Sequence, residues 1–123
     1  MKSLNNLFTQ FGTKKSFKKG EHLFKQGDLA DHIFYINTGL LKAYYLTDDG
    51  KEFVKSFLRE GNIIGSLRST TDNTASYFST ICLEDTQVIS MPFEKIHSIA
   101  KDSLEVSTAL IESLISLSVK KEK

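Results

Sequence analysis

Tryptophan is missing from this 123-residue chain, and cysteine and proline occur once each, as Cys82 and Pro92. A single cysteine forms no internal disulfide and supplies too few thiolates for an iron–sulfur cluster, which removes a disulfide scaffold and cluster-based sensing. No apolar run approaches the ~18 residues of a membrane span, and the opening MKSLNNLFTQ lacks the charged-then-apolar pattern of a secretion signal. A reducing cytoplasm is the expected setting, with no membrane partner. Charge of one sign is also scarce: 16 basic against 15 acidic residues leave +1, and only Arg59 and Arg68 are arginine. A nucleic-acid surface exchanges condensed counterions against a clustered basic stripe. The pairs Lys14-Lys15 and Lys18-Lys19 do not make one and read as solvated surface.

The histidines are few and scattered. His22, His32 and His97 form no H-x-H pair and have no neighbouring carboxylate set, so no metal site, axial haem ligand or other cofactor is expected. No Ser-His-Asp or Cys-His signature stands out either. The expectation is a protein that is not an enzyme. Linkers rich in proline or of low complexity are absent as well, so residues 1–123 read as one domain.

What is present is a soluble-type composition, 40% apolar and 25% charged, with clear periodicity. Leu4, Leu7, Phe8 and Phe11 fall at helical intervals, which predicts a helix over about 3–10 stopped by Gly12. From there the period becomes two. The runs HLF, HIFYI, LLKAYYL, FVKSFL, NIIG, YFSTICL and QVISM are rich in β-branched and aromatic residues. Between them stand Gly20, Gly27, Gly39, Gly50 and Gly61, each at a turn. Asp49-Gly50 lies between two alternating runs and predicts a hairpin, because that dipeptide readily takes positive φ. Cys82, in the apolar run STICLED, reads as a buried structural thiol.

After Pro92 the helical period returns. FEKIHSIA predicts a helix over about 93–100, and Asp102 with Glu105 forms a D-x-x-E cap that opens a longer one over about 102–120. That helix carries two apolar stripes: Leu104, Ile111 and Ile115 on one, Val106, Leu110, Leu114 and Leu117 on the other. A helix lying on a roll needs one stripe, so the second predicts a partner, most simply the same helix of a second copy. Lys120, Lys121 and Lys123 complement the helix dipole at its end. Mainly β with flanking helices, the chain is expected to form a jelly-roll-like β-roll over about 15–92.

The stretch KKGEHLFKQGDLADHIFYINTGLLKAYYLTDDGKEF resembles the first half of the sensor domain of the Crp/Fnr family of transcription regulators. Gly20, Leu23, Phe24, Gly27, Asp28, Ala30, Asp31, Phe34, Ile36, Gly39, Asp49, Gly50, Lys51 and Glu52 fall as that pattern has them. The likeness continues through Gly61-Asn62, Ile64-Gly65 and LEDTQVISM, over roughly residues 15–119. It implies a double-stranded β-helix of the cyclic-nucleotide-binding type with eight strands, and a long dimerisation helix leading to a winged helix-turn-helix. No such domain is read in these residues, so the expectation is either that it lies beyond them or that the protein signals without touching DNA, and DNA is expected as a partner only through such a further domain.

In the family's cyclic AMP binders a Gly-Glu pair, followed by Arg-Ser or Arg-Ala, holds the ribose hydroxyl and the cyclic phosphate. Here the segment reads GSLRSTTDNTASYFSTI. Gly65 is kept, Ser66 replaces the glutamate, and an ungapped count places Ser76-Tyr77 where arginine and its small neighbour belong. Loss of the arginine–phosphate pair costs on the order of 2–5 kcal/mol, so tight cyclic AMP binding is not expected. The candidate ligand residues are Gly65, Ser66, Leu67, Arg68, Ser76 and Tyr77, with Arg68 a candidate substitute cation in a hydroxyl-rich segment suited to a small anionic or polar effector. The alternative is a ligand-free dimerisation or protein-interaction scaffold.

Overall fold

The computed structural model describes residues 2–66 and 74–102. A first helix, α1 (Lys2–Phe11), is followed by β1 (Thr13–Phe17), β2 (His22–Phe24), β3 (His32–Thr38), β4 (Leu40–Leu46), β5 (Glu52–Arg59), β6 (Ile63–Ile64), β7 (Ser79–Cys82) and β8 (Thr86–Pro92), and α2 (Phe93–Ala100) ends the described part. Among the described residues eight strands, the number the resemblance implied, form two four-stranded sheets. Their orders are β1-β8-β3-β6 and β2-β7-β4-β5, with antiparallel neighbours throughout. Beyond Asp102 the predicted 102–120 helix lies outside the described residues, as do its two stripes and Glu105 of its cap.

All five turn glycines have positive φ, so each occupies a conformation that other residues take only at a cost. At the predicted hairpin, Gly50 donates its N–H to the Thr47 carbonyl at 2.9 Å, and Thr47 N–H bonds the Lys51 carbonyl at 2.9 Å. That closes β4 onto β5 with Leu46 opposite Glu52. At the other end of β4, Leu41 faces Leu58.

Paired residues point to one face of a sheet, and the first sheet therefore has two apolar faces. Phe34, Ile36 and Val88 look inward and join Phe24, Leu41, Ala43, Leu58, Phe78 and Cys82 in the roll's inner core. Ile33, Ile89 and Met91 look outward and meet Leu7, Phe8 and Ile96 in a second core beneath the helices. α1 ends where expected, with Gly12 N–H bonded to the Phe8 carbonyl at 2.8 Å. Strand β1 was not among the predicted runs. Its TKKSF sequence is exposed at four of five positions, and it is a strand because it pairs with β8 from Thr13↔Ser90 to Phe17↔Thr86. Lys14 and Lys15 are exposed there, as read from sequence.

Candidate functional site

Gly65 leaves β6 of one sheet, and Ser76 and Tyr77 lead into β7 of the other. Residues 67–73 between them, including Leu67 and Arg68, lie outside the described residues. Both flanks are firmly held. Gly65 is buried against β3: a β-carbon there would run into the Ile33 side chain and stand 3.3 Å from the His32 carbonyl. Ser66 beside it is fully buried.

On the far flank, Ser76 N–H donates to the Asp28 carbonyl at 2.7 Å, and its own carbonyl accepts from Gly27 N–H at 2.8 Å. Its hydroxyl donates to the Phe78 carbonyl at 2.8 Å and accepts from Phe78 N–H at 3.2 Å. This serine is therefore a local turn former tied to the β2–β3 connection. The Asp28 carboxylate in that connection accepts from Lys25 N–H at 2.9 Å, which closes the Gln26-Gly27 turn. Sequence spacing alone placed Ser76 at the position of a phosphate-binding arginine; the paired backbone bonds were not visible from it.

Tyr77 is half-buried and packs on the inner core. Its ring centroid lies 5.3 Å from that of Phe78 and 6.4 Å from that of Tyr45, which in turn stacks on Phe53 at 5.5 Å. Above this aromatic group sits a residue the sequence reading passed over. Lys55 Nζ is 5.3 Å from the Tyr77 centroid and 5.0 Å from the Phe78 centroid, within cation–π range of both. The register explains its position. Ala43 pairs with Ser56 but Tyr44 pairs with Val54, so Lys55 is the extra residue of a β-bulge, a device that re-aims a side chain.

Thr80 completes the inner surface. It pairs with Ala43 and Phe24, is fully buried, and its hydroxyl has no hydrogen-bond partner among the described residues. A recess of about 440 Å³ opens at the β2–β3 connection between Lys15, Phe24, Phe34, Asp31, His32 and Ser90. Its His32 Nδ1 and Asp31 carboxylate are already paired at 2.8 Å. The other two histidines are apart from it and from each other: His22 Nε2 bonds the Tyr44 hydroxyl at 2.8 Å, and His97 lies against Phe93. Among the described residues, no three His, Cys, Asp or Glu side chains converge as a metal site would need. No helix among those residues is long and apolar enough to cross a membrane.

Two antiparallel sheets closed on one inner core, with the β6–β7 connection passing from one sheet to the other, define a cyclic-nucleotide-binding-type β-roll. The profile of the cyclic nucleotide-binding domain family matches residues 14–103. Transcriptional activator protein Anr of Pseudomonas protegens is 35% identical over 70% of this chain and 34% of its own length. The global nitrogen regulator of a Nostoc species is 25% identical over 94% of this chain and 55% of its own. Among solved structures, the catabolite activator protein of Thermus thermophilus superposes with a TM-score of 0.82 at 18% identity, covering 99% of this chain and 56% of that one. CLP of Xanthomonas campestris, described as a c-di-GMP responsive global regulator, gives 0.84 at 16% identity, over 98% and 59%. The chain belongs to the Crp/Fnr family, as a cyclic nucleotide-binding-type domain that spans between a third and three fifths of these relatives' lengths.

Proposed function

We propose that this chain is the effector-sensing and dimerising part of a cytoplasmic Crp/Fnr-type transcription regulator, answering to a small anionic or polar effector other than cyclic AMP. The observation that carries the reading is the pairing of an intact roll with serines at both cassette positions, Ser66 and Ser76, each buried. The architecture for holding a ligand is kept, while the two charged contacts that select a cyclic nucleotide are replaced. Occupancy of the roll passes to the 102–120 helix, whose Val106, Leu110, Leu114 and Leu117 stripe joins two copies, and from there to a DNA-reading domain outside this chain. The domain itself catalyses nothing in this scheme.

A thermal-shift screen of cyclic nucleotides, inorganic anions and small organic acids tests it. At least one class of anion raises the unfolding temperature by mass action, and cyclic AMP does not. Failure of every compound to stabilise the protein favours a ligand-free scaffold instead. Light scattering gives twice the chain mass, and Leu114→Asp shifts it toward the monomer; a monomeric parent at high concentration removes the dimer.

A further inference from the structure

We propose that the recess at the β2–β3 connection is a ligand site separate from the cassette, and that it takes a free α-amino acid with an apolar side chain. The recess, of about 440 Å³, opens where β1 and β2 are the edges of their sheets, whereas β6, from which the cassette departs, is the opposite edge of the first sheet. None of the described cassette residues lines it. The connection bonds the cassette's far flank at Ser76 through the backbone of Gly27 and Asp28, and its side chains turn to the recess. Register explains how Lys15 reaches it. Lys15 pairs with Val88 of the inner core, so its side chain leaves β1 on the face turned toward the other sheet. Across the recess, the connection supplies the carboxylates of Asp28 and Asp31.

Two signs of charge thus line one recess and stay apart. The ion pairs among the described residues are Lys42 with Glu52 and His32 with Asp31, so the Lys15 ammonium closes on neither Asp28 nor Asp31. Asp28 accepts from Lys25 N–H at 2.9 Å and Asp31 pairs with His32 Nδ1 at 2.8 Å, which leaves each carboxylate lone pairs for a further donor. A ligand of one charge would meet one wall and be repelled by the other. A zwitterion suits both: its carboxylate meets Lys15, and its primary ammonium has the N–H donors that Asp28 and Asp31 accept. Between the walls, Ser90 is 3% exposed and shares the inner face with its pair Phe34, which places its hydroxyl at the floor. Leu29 stands 50% exposed at the rim, apolar surface that the amino acid's own side chain would take out of water.

L-Leucine serves as probe on the 123-residue chain. Its one-charge counterparts are isocaproate, which lacks the ammonium, and isoamylamine, which lacks the carboxylate. Calorimetry reads affinity, and the Leu29 methyl resonances read position. Leucine is expected to bind saturably and move those resonances, with each counterpart at least about tenfold weaker for want of one charge-assisted contact. Lys15→Met and Asp31→Asn each weaken leucine about tenfold or more, and Lys15→Arg retains most of the affinity. All three variants keep the parent's unfolding temperature, because both side chains are exposed. Absence of saturable leucine binding, unmoved Leu29 methyls at saturation, or equal affinity in Lys15→Met or for either counterpart overturns the site. The site is independent of the sensing reading: leucine binding in a protein that responds to no anion of the screen upholds the one and sinks the other. An anion of the screen that displaces leucine would put leucine in the effector pocket and overturn the separate site.

Discussion

Gly39 carries the chain from β3 into β4 directly against Thr86: its φ is +119°, and a β-carbon there would stand 2.8 Å from the Thr86 α-carbon. Two penalties therefore meet at one residue, backbone strain and collision with a backbone that cannot step aside. The same corner holds the Thr86 hydroxyl bonded to the Glu84 carbonyl at 2.9 Å.

Gly39→Ala is expected to destabilise the fold by about 3 kcal/mol, the sum of strain at positive φ and overpacking. Gly50→Ala, at φ +86° with nothing within 4 Å of its β-carbon position, bears the first penalty alone, about 1 kcal/mol. Urea denaturation of both variants checks the difference, and equal losses would contradict it.

Restoring the two family charges reverses the ligand preference. The double variant Ser66→Glu and Ser76→Arg is expected to raise cyclic AMP affinity about tenfold or more over the parent in calorimetric titration, since each charge completes a charge-assisted contact. An unchanged titration would mean that the shape of the pocket, not the missing charges, excludes the nucleotide.

His22 makes stability depend on pH. Burial, and then the nearby Lys25 charge, hold its pKa below the ordinary 6.5, against a smaller opposing pull from Asp28. The unfolded chain therefore binds the proton more readily than the folded one, and stability rises with pH. The penalty is absent above 6.5, grows as pH falls below it, and levels off below the folded-state pKa. Denaturation at pH 5.5 and 7.5 should show the parent losing more stability on acidification than His22→Gln; equal losses would remove His22 as the cause.

Burial also pushes the Cys82 thiol above its usual range, against a lowering contact from Thr86. Less thiolate and no access make it inert while folded. A disulfide reagent near neutral pH is expected to label it at least about a hundredfold more slowly in buffer than in denaturing urea, because reaction waits on opening of the inner core. Comparable rates would place the thiol at the surface.

What the sequence determined by itself is local. Positive-φ turns at glycine, the Asp49-Gly50 hairpin, the α1 stop at Gly12 and the helix after Pro92 each depend on residues within a few positions of one another, and the structure has all of them. The match of dispersed residues to a family pattern likewise made the roll legible. Strand β1 was not, because an edge strand of polar residues has no alternation to read, and only its partner β8 makes it a strand.

Tertiary structure alone decided the rest, since the partners are far apart in the chain. Strict alternation in FVKSF would put Phe53, Lys55 and Phe57 on one face. The bulge breaks that period: Phe53 stacks on Tyr45, Phe57 lies opposite Lys42, and Lys55 is turned over the rings of Tyr77 and Phe78. Ser76, which spacing assigned to a ligand contact, has its hydroxyl and backbone engaged by Phe78, Gly27 and Asp28. A hydroxyl's partner, or the lack of one at Thr80 among the described residues, is settled only when distant strands come into register, because hydrogen bonding is a property of placed atoms rather than of residue order.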